Sequence, residues 1–195
     1  MKDIEHALKA GPGVGTMDGD ALRLAAQGAG LLDVAYTITD SPFGPILLAA
    51  TDKGLVRLAY PNERDPLDEV AANVSPRILE DARRLDDARR QLDDYFEGRR
   101  PGFDLPVDWA MTKGFQRRVL RATHRIPFGA VSTYREVAKR AGNDRAARAA
   151  GNALGSNPIP IVVPCHRVLH SGGGLGGYTG GLDRKRFLLR LEGVL

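Results

Sequence analysis

Residues 131–154 read VSTYREVAKRAGNDRAARAAGNAL, and the fold of the C-terminal half turns on them. Thr133 and Glu136 stand three apart just ahead of Val137 and Ala138, the spacing of a capping box that opens a helix. Gly142 and Asn143 close that helix within two turns. A second runs from Asp144 to Leu154 and is stopped by Gly155 and Asn157-Pro158. Two short helices joined by Ala141-Gly142-Asn143 predict a helix-turn-helix, a motif shared by DNA readers and by helical hairpins with no nucleic-acid partner.

The second helix is nearly bare of side-chain bulk. Ala146, Ala147, Ala149, Ala150 and Gly151 leave it smooth, while Arg145 and Arg148 project from it. Such a surface suits close approach to a narrow groove, where a base-reading major-groove helix would carry more polar reach. Tight packing in a core is the other use of small residues, and both readings stand at this point.

Downstream, Pro158 to Val168 reads PIPIVVPCHRV and holds the chain's single cysteine. The apolar run Ile159–Val163 between prolines predicts a buried extended segment that delivers Cys165 and His166 to its end. A cysteine attacks as thiolate, and a histidine oriented by a carboxylate can take its proton. Cys165, His166 and Glu192, at the end of a basic helix over Asp183–Leu191, supply those groups. Neighbouring side chains on a strand point to opposite faces, so a direct Cys165–His166 contact needs a turn or a water. A buried, inert thiol is the competing reading. Between these segments lies Ser171–Gly181, where seven of eleven residues are glycine and the large side chains are Leu175 and Tyr178. Its spacing does not match a phosphate-binding loop. His124 and His170 read as surface residues without a role, and His6 lies in an uninterpreted segment.

Upstream, Lys113–Arg125 is a basic amphipathic helix with Phe115, Val119, Leu120 and Ala122 inward, ended by Ile126-Pro-Phe-Gly129. Val34–Thr39, Ile46–Thr51 and Leu55–Tyr60, separated by Ser41-Pro-Phe-Gly-Pro45 and Asp52-Lys-Gly54, predict a three-stranded meander. Leu67–Glu97 reads as one helix interrupted near Pro76, with Ile78, Leu79, Ala82, Leu85, Ala88, Leu92, Tyr95 and Phe96 on one face, and Gly98 ends it. Arg100–Asp108 reads as an extended strand and connector. Residues 1–33 show no sustained period; Gly11-Pro-Gly13 looks like linker, and Ala21–Leu32 has the content of a short helix.

Charge marks the division. Residues 1–110 carry 13 Lys and Arg against 20 Asp and Glu, net −7, whereas residues 111–195 carry 15 against 4, net +11. A basic half of that size favours a polyanionic partner, nucleic acid above all. One thiol makes neither a disulfide nor a cysteine-rich zinc site, and the first thirty residues hold neither a leader nor a membrane span. The expected location is therefore cytoplasmic. The expected domains are an N-terminal extension (1–33), an α/β unit (34–108) and a DNA-binding, active-site unit (111–195).

Taken together, Ile126-Pro-Phe-Gly129, Thr133-Tyr134, Ala146-Ala-Arg-Ala149, Asn157-Pro158, Ile161-Val-Val-Pro-Cys-His-Arg-Val168, Gly177-Tyr-Thr-Gly-Gly181 and Leu191-Glu-Gly193 resemble, in order, the motifs of the O6-alkylguanine-DNA alkyltransferases. The resemblance is strong over residues 113–193, looser over 34–108, and leaves residues 1–33 outside. It implies a ribonuclease-H-like α/β domain followed by a mainly helical, winged-helix-like domain. It also implies one irreversible transfer of an alkyl group from O6-alkylguanine, and from O4-alkylthymine, in DNA to Cys165.

By the same resemblance, His166 would deprotonate the thiol through a water, oriented by Glu192, and Asn157 would tie the helix-turn-helix to the cysteine segment. Arg148 would fill the stack left by the extruded nucleotide. Ala147 and Gly151 would let the helix enter the minor groove. Tyr134 would crowd the 3′ phosphate and donate to the departing guanine. Tyr178, Thr179 and backbone near Val168 would line the base pocket. The implied partner is double-stranded DNA bearing alkylated guanine, bound by a monomer with no cofactor and no metal. A non-transferring lesion sensor would replace the cysteine. A thiol hydrolase would leave Arg148 and the helix-turn-helix unexplained, and a transcriptional switch would carry further cysteines.

Overall fold

Three runs rich in β-branched and aliphatic residues, parted by turn residues, form β1 (Val34–Thr39), β2 (Ile46–Thr51) and β3 (Gly54–Ala59). The computed structural model describes residues 32–195 together with Gly28 and Gly30. The glycine-rich linker and almost all of the helix expected over 21–32 therefore lie outside the described residues. β1 pairs antiparallel with β2, and β2 with β3, as the meander requires. Ser41 shapes the first turn by donating to Gly44 O at 2.6 Å while accepting from Phe43 N.

The segment 67–97 departs from the single interrupted helix. It divides into α1 (Pro66–Asn73), β4 (Ile78–Glu80), a 3₁₀ turn (Ala82–Leu85) and α2 (Asp86–Phe96). Pro76 cannot continue a helix, and the chain beyond it finds a better partner for its backbone in the open edge of β1. There β4 pairs in parallel, Val34 with Ile78 and Tyr36 with Glu80, giving the sheet order β3-β2-β1-β4. Ile78 and Leu79 are thus strand residues, although their spacing to Ala82 also fits a helix face. Gly98, at φ 72°, ends α2 as expected.

Helices cover both faces of the sheet. Val70 of α1 packs with Val34, Ala49 and Val56 on one side. Leu85, Ala88, Leu92 and Tyr95 join Ala35, Ile46, Leu48 and Leu58 on the other. That second cluster continues without a break into Val119, Leu120, Val137, Ala150, Ile161 and Leu188. Residues 33–195 form one compact unit, so the sign change in charge near residue 111 does not divide the core.

The remaining helices are α3 (Gly114–His124), α4 (Tyr134–Arg140), α5 (Ala147–Gly155) and α6 (Leu182–Leu191). The capping box forms as read: Thr133 Oγ1 accepts from Glu136 N, and Glu136 Oε2 accepts from Thr133 N. α4 and α5 pack against each other and on α3. α5 begins at Ala147 rather than Asp144, because Asn143 Oδ1 accepts from Arg145 N and holds residues 143–146 in a turn. β5 (Ser132–Thr133) and β6 (Val168–Leu169) pair in parallel and bring the start of α4 beside the cysteine segment.

Edge strand β3 anchors that segment too. Leu58 N and Arg57 Nη1 both donate to Pro158 O, at 2.9 and 3.1 Å. Farther along, Leu55 bonds Pro106 O and Asp108 N. The expected strand over 100–108 is therefore a connector pinned by a single bridge, Leu55 to Val107. An otherwise open sheet edge is used to hold the chain on either side of the site.

Candidate active site

Residues 159–163 are buried as expected, but they are not extended. Prolines at 158, 160 and 164 remove the N–H groups a strand ladder would use. The chain turns instead, with Val163 N donating to Ile159 O and Ile161 at φ 73°. A β-branched residue in the left-handed region is strained by about 1–3 kcal/mol and persists only where its surroundings fix it. Asn157 supplies much of that fixing. Its Nδ2 donates to Val163 O at 2.8 Å and to Cys165 Sγ at 3.2 Å, while its Oδ1 accepts from Ile159 N.

Cys165 opens a single 3₁₀ turn, Cys165–Arg167, rather than ending a strand. Its thiol is 5% exposed. Burial pushes its pKa up to about 11, against the opposing pull of the Asn157 hydrogen bond, the Lys185 charge and the backbone N–H groups of residues 165 and 166. At neutral pH the group is a thiol, with roughly one molecule in ten thousand ionised. A nucleophilic role then requires a base at the moment of attack.

His166 and Glu192 lie behind the thiol, both sealed from solvent. His166 Nε2 meets Glu192 Oε1 at 2.8 Å. Burial lowers the imidazole pKa despite the carboxylate beside it, so the ring is neutral near pH 7. The bond to Glu192 assigns the proton to Nε2 and leaves Nδ1 as the basic nitrogen. Nδ1 is buried and has no hydrogen-bond partner among the described residues. No bond links His166 directly to Cys165 among the described residues, in keeping with the expected difficulty of a direct contact.

Glu192 is the hub. Arg167 Nε and Nη2 donate to its two oxygens at 2.8 and 2.9 Å, and Tyr95 Oη donates to Oε1 at 2.5 Å. Burial pushes this carboxyl up, but the bonds from His166 and Arg167 outweigh it and hold the pKa at about 2. Arg167 also donates to Ile126 O, which ties the Ile126-Pro-Phe-Gly129 turn to the same hub.

In front of the thiol opens a cavity of about 640 Å³. It brings together Tyr134, Ala147, Arg148 and Gly151 from the helix-turn-helix, Cys165 at its floor, and Tyr178 and Thr179 from the glycine loop. The packing reading of the small-residue helix holds for one of its faces, and another face lines the cavity. Ala150 and Ala153 are buried, Ala147, Arg148 and Gly151 line the cavity, and Leu154 is buried at the cavity wall. Thr179 Oγ1 donates to Gly155 O at 2.6 Å and moors the loop to the end of α5. Gly151 leaves ordinary contact distance to the ring of Tyr134, whereas any side chain at Gly176, at φ 69°, would collide with the Tyr134 hydroxyl. Val168 is not among the residues lining the cavity; it is buried, and its carbonyl accepts from Lys185 Nζ at 2.7 Å.

Several residues of the site carry no mark in the sequence. Lys185 is fully buried; its Nζ donates to Val168 O and Leu175 O, and burial brings its pKa down to about 8. Tyr95 and Tyr60 arrive from the acidic half, Tyr60 sharing a 2.7 Å hydrogen bond with the hydroxyl of Tyr178. His170, read as a bystander, lies on the cavity edge with its ring 5.1 Å from that of Tyr134. His124 is partly buried, its Nδ1 3.1 Å from Val162 O, and His6 lies outside the described residues. The one available signal was residue type: a lysine at a core-facing helix position is unusual enough to mark. Among the described residues no group of His, Cys, Asp or Glu could hold a metal ion, and no helix is long and apolar enough to cross a membrane.

The fold and site define a two-part protein class, a small mixed sheet joined to a helix-turn-helix that presents a buried cysteine. Residues 34–109 match the family model for the 6-O-methylguanine DNA methyltransferase ribonuclease-like domain, and residues 114–194 match that for its DNA-binding domain. The methylated-DNA–protein-cysteine methyltransferase of Methanosarcina barkeri is 44% identical over 80% of this chain and 96% of its own. The crystal structure of the Mycobacterium tuberculosis O6-methylguanine methyltransferase superposes with a TM-score of 0.70 at 40% identity, covering 82% of this chain and 92% of that one. A second structure of the Mycobacterium tuberculosis protein, in complex with DNA, matches with the same TM-score at 39% identity over 81% and 92%. The chain belongs to the 6-O-methylguanine-DNA methyltransferase family, and its architecture is that family's ribonuclease-like sheet domain followed by a helical DNA-binding domain.

Proposed function

We propose that this protein repairs DNA by taking the alkyl group of O6-alkylguanine onto Cys165, once per molecule. One observation carries the reading: a buried, protonated thiol lines a cavity that is also lined by an arginine-bearing helix of small residues. The thiol is withheld from solvent and offered only to a group that enters the cavity. In the transfer, the bond from the alkyl carbon to guanine O6 breaks as the bond to Sγ forms. The thiol proton passes through a water to His166 Nδ1, while the Glu192 carboxylate stabilises the imidazolium through Nε2. The Tyr134 hydroxyl donates to the departing guanine. Burial holds that phenol's pKa above its ordinary value, so it remains a donor. The thioether cannot revert, which makes the reaction stoichiometric.

Duplex DNA reaches the site along the basic half, with α5 in the minor groove against Ala147 and Gly151. Arg148, exposed on α5, fills the place of the extruded nucleotide. Extrusion costs a few kcal/mol, least for the weakened pair of a damaged guanine. Tyr178 and Thr179 receive the base. Asn157 keeps the cysteine turn in register with the helix-turn-helix. O4-alkylthymine is a second substrate. The protein acts in the cytoplasm as a monomer, with a sheet module over 34–108, a DNA module over 111–195 and an extension over 1–33.

The test mixes the protein with a duplex containing O6-methylguanine and determines the masses of protein and DNA. Gain of one methyl group per chain, located on Cys165, with unmodified guanine left in the duplex, supports the reading. Repeated turnover, or an unmodified Cys165, overturns it.

A further inference from the structure

Tyr178 walls the cavity from a glycine-rich loop whose backbone is moored on either side of it, by Thr179 to Gly155 O, by Lys185 to Leu175 O and by Arg184 to Gly180 O. Seven of the eleven residues in 171–181 are glycine, so the backbone there loses more conformational freedom on ordering than any other composition would. Those bonds place the backbone, and the direction of the ring is set by contacts that the side chain itself makes. One is an edge contact with the His166 ring, centroids 6.5 Å apart. Another is the hydrogen bond between its hydroxyl and that of Tyr60, 118 residues earlier in the chain.

Tyr60 is itself packed on several sides. It follows β3 directly and is 2% exposed. Its backbone N donates to Glu63 Oε1 at 2.7 Å, and its carbonyl accepts from Glu63 N. The Arg184 guanidinium lies over its ring at 4.5 Å, and Phe43 meets its edge. Gly180 completes the fit, because a Cβ there would fall 2.7 Å from Tyr60 Cε2 and 2.9 Å from Tyr178 Cε1. A closely packed phenol in the sheet module thus meets a phenol carried by a glycine-rich loop in the pocket wall.

We infer that Tyr60 is a positioning residue that sets the selectivity of the pocket: its hydroxyl holds the ring of Tyr178 and so limits the size of alkyl group that reaches Cys165. The inference rests on the transfer reading above. Burial raises both phenols above their ordinary range, so the pair stays neutral and bonded across physiological pH.

The experiment compares the wild-type protein, Tyr60→Phe, Tyr178→Phe and the double variant. Each is given duplexes carrying O6-methylguanine or O6-benzylguanine, and the single-turnover transfer rates are measured. Tyr60→Phe keeps the ring contacts with Phe43 and Arg184 and removes only the hydroxyl. The benzyl-to-methyl rate ratio should rise about threefold to tenfold in Tyr60→Phe, the range that one neutral hydrogen bond supports. The double variant should change no further than either single one, because both remove the same bond. A parallel fall in both rates with an unchanged ratio marks a merely structural role and overturns the inference, as do multiplicative effects in the double variant. Wild-type protein that takes up neither alkyl group overturns the transfer reading and this inference with it.

Discussion

Replacing Glu192 by glutamine tests the hub of the site, and the structure sets the size of the effect. Four donors converge on two carboxylate oxygens: Tyr95 Oη, His166 Nε2 and two nitrogens of Arg167. Glutamine has the same shape but turns an NH₂ group toward one side of that ring of donors, leaving Arg167 buried beside an uncharged group. The carboxyl pKa falls from 4.5 to about 2, and at ~1.4 kcal/mol per pH unit the charged form contributes about 3 kcal/mol. Breaking a buried pair by removing one partner has a similar cost, about 3–5 kcal/mol. Since the folded value lies below the unfolded one, this stability is complete above pH ~5 and is lost as pH falls toward 2. Denaturant unfolding of wild type and Glu192→Gln at pH 7, 5 and 3 should therefore show a gap of about 3 kcal/mol at the first two. By pH 3 more than half of it should have closed. The melting temperature at pH 7 should fall by about 6–12 °C. Alkyl transfer should slow by ~10²–10⁴, because the imidazole loses both its orientation and the charge that stabilises its protonated form. A gap under 1 kcal/mol at pH 7, a gap independent of pH, or transfer at the wild-type rate refutes the assignment of Glu192 as hub.

Other perturbations separate the thiol's environment from DNA engagement. Lys185→Met removes a positive charge that favours the thiolate, so the pH profile of Cys165 alkylation by iodoacetamide should move to higher pH, slowing reaction at pH 8 by about tenfold; an unmoved profile denies the electrostatic role. Gly176→Ala drives a methyl group into the Tyr134 hydroxyl from a left-handed backbone, and should reduce transfer more than tenfold while costing ~1–2 kcal/mol in thermal unfolding. Arg148→Ala removes an exposed side chain, so stability should stay within ~0.5 kcal/mol. Its transfer from a lesion in duplex DNA should fall steeply while transfer from the free O6-alkylated base is unchanged, and an equal loss on both substrates counts against its place in the stack.

The sequence made the meander, the helix-turn-helix and the basic helices legible because each is set by local chemistry. Turn residues at fixed offsets, the Thr133–Glu136 box and 3.6-residue spacing are all read within a few positions. The errors arose where distant partners decided. Ile78–Glu80 becomes a strand only because β1 has an open edge 44 residues earlier, as the pairing of Val34 with Ile78 shows. Ile159–Val163 is apolar enough for a strand, but three prolines and the amide of Asn157 turn it into a bend that no periodicity announces.

The site divides in the same way. Residues that face the cavity are clustered in motifs, so Cys165, Arg148, Tyr134 and Tyr178 were visible as candidates from the segments that carry them. Residues that tune them are single side chains from elsewhere: Tyr95 on α2, Tyr60 after β3, and Lys185, set apart from the other basic residues of α6 only by its core-facing spacing to Leu188 and Leu189. The acidic half thus supplies more than a sheet beside a DNA-binding module. Tyr95 reaches Glu192 behind the thiol, Tyr60 reaches Tyr178 in front of it, and Arg57 holds Pro158 at the entry to the cysteine turn. Each link buries polar groups against the basic half, and removing either partner leaves one unsatisfied at a cost of about 1–3 kcal/mol. With a continuous apolar core beneath them, these three links make the geometry around Cys165 a property of residues 33–195 as a whole. Separating the modules near residue 111 should therefore disable the thiol even if the helix-turn-helix still binds DNA.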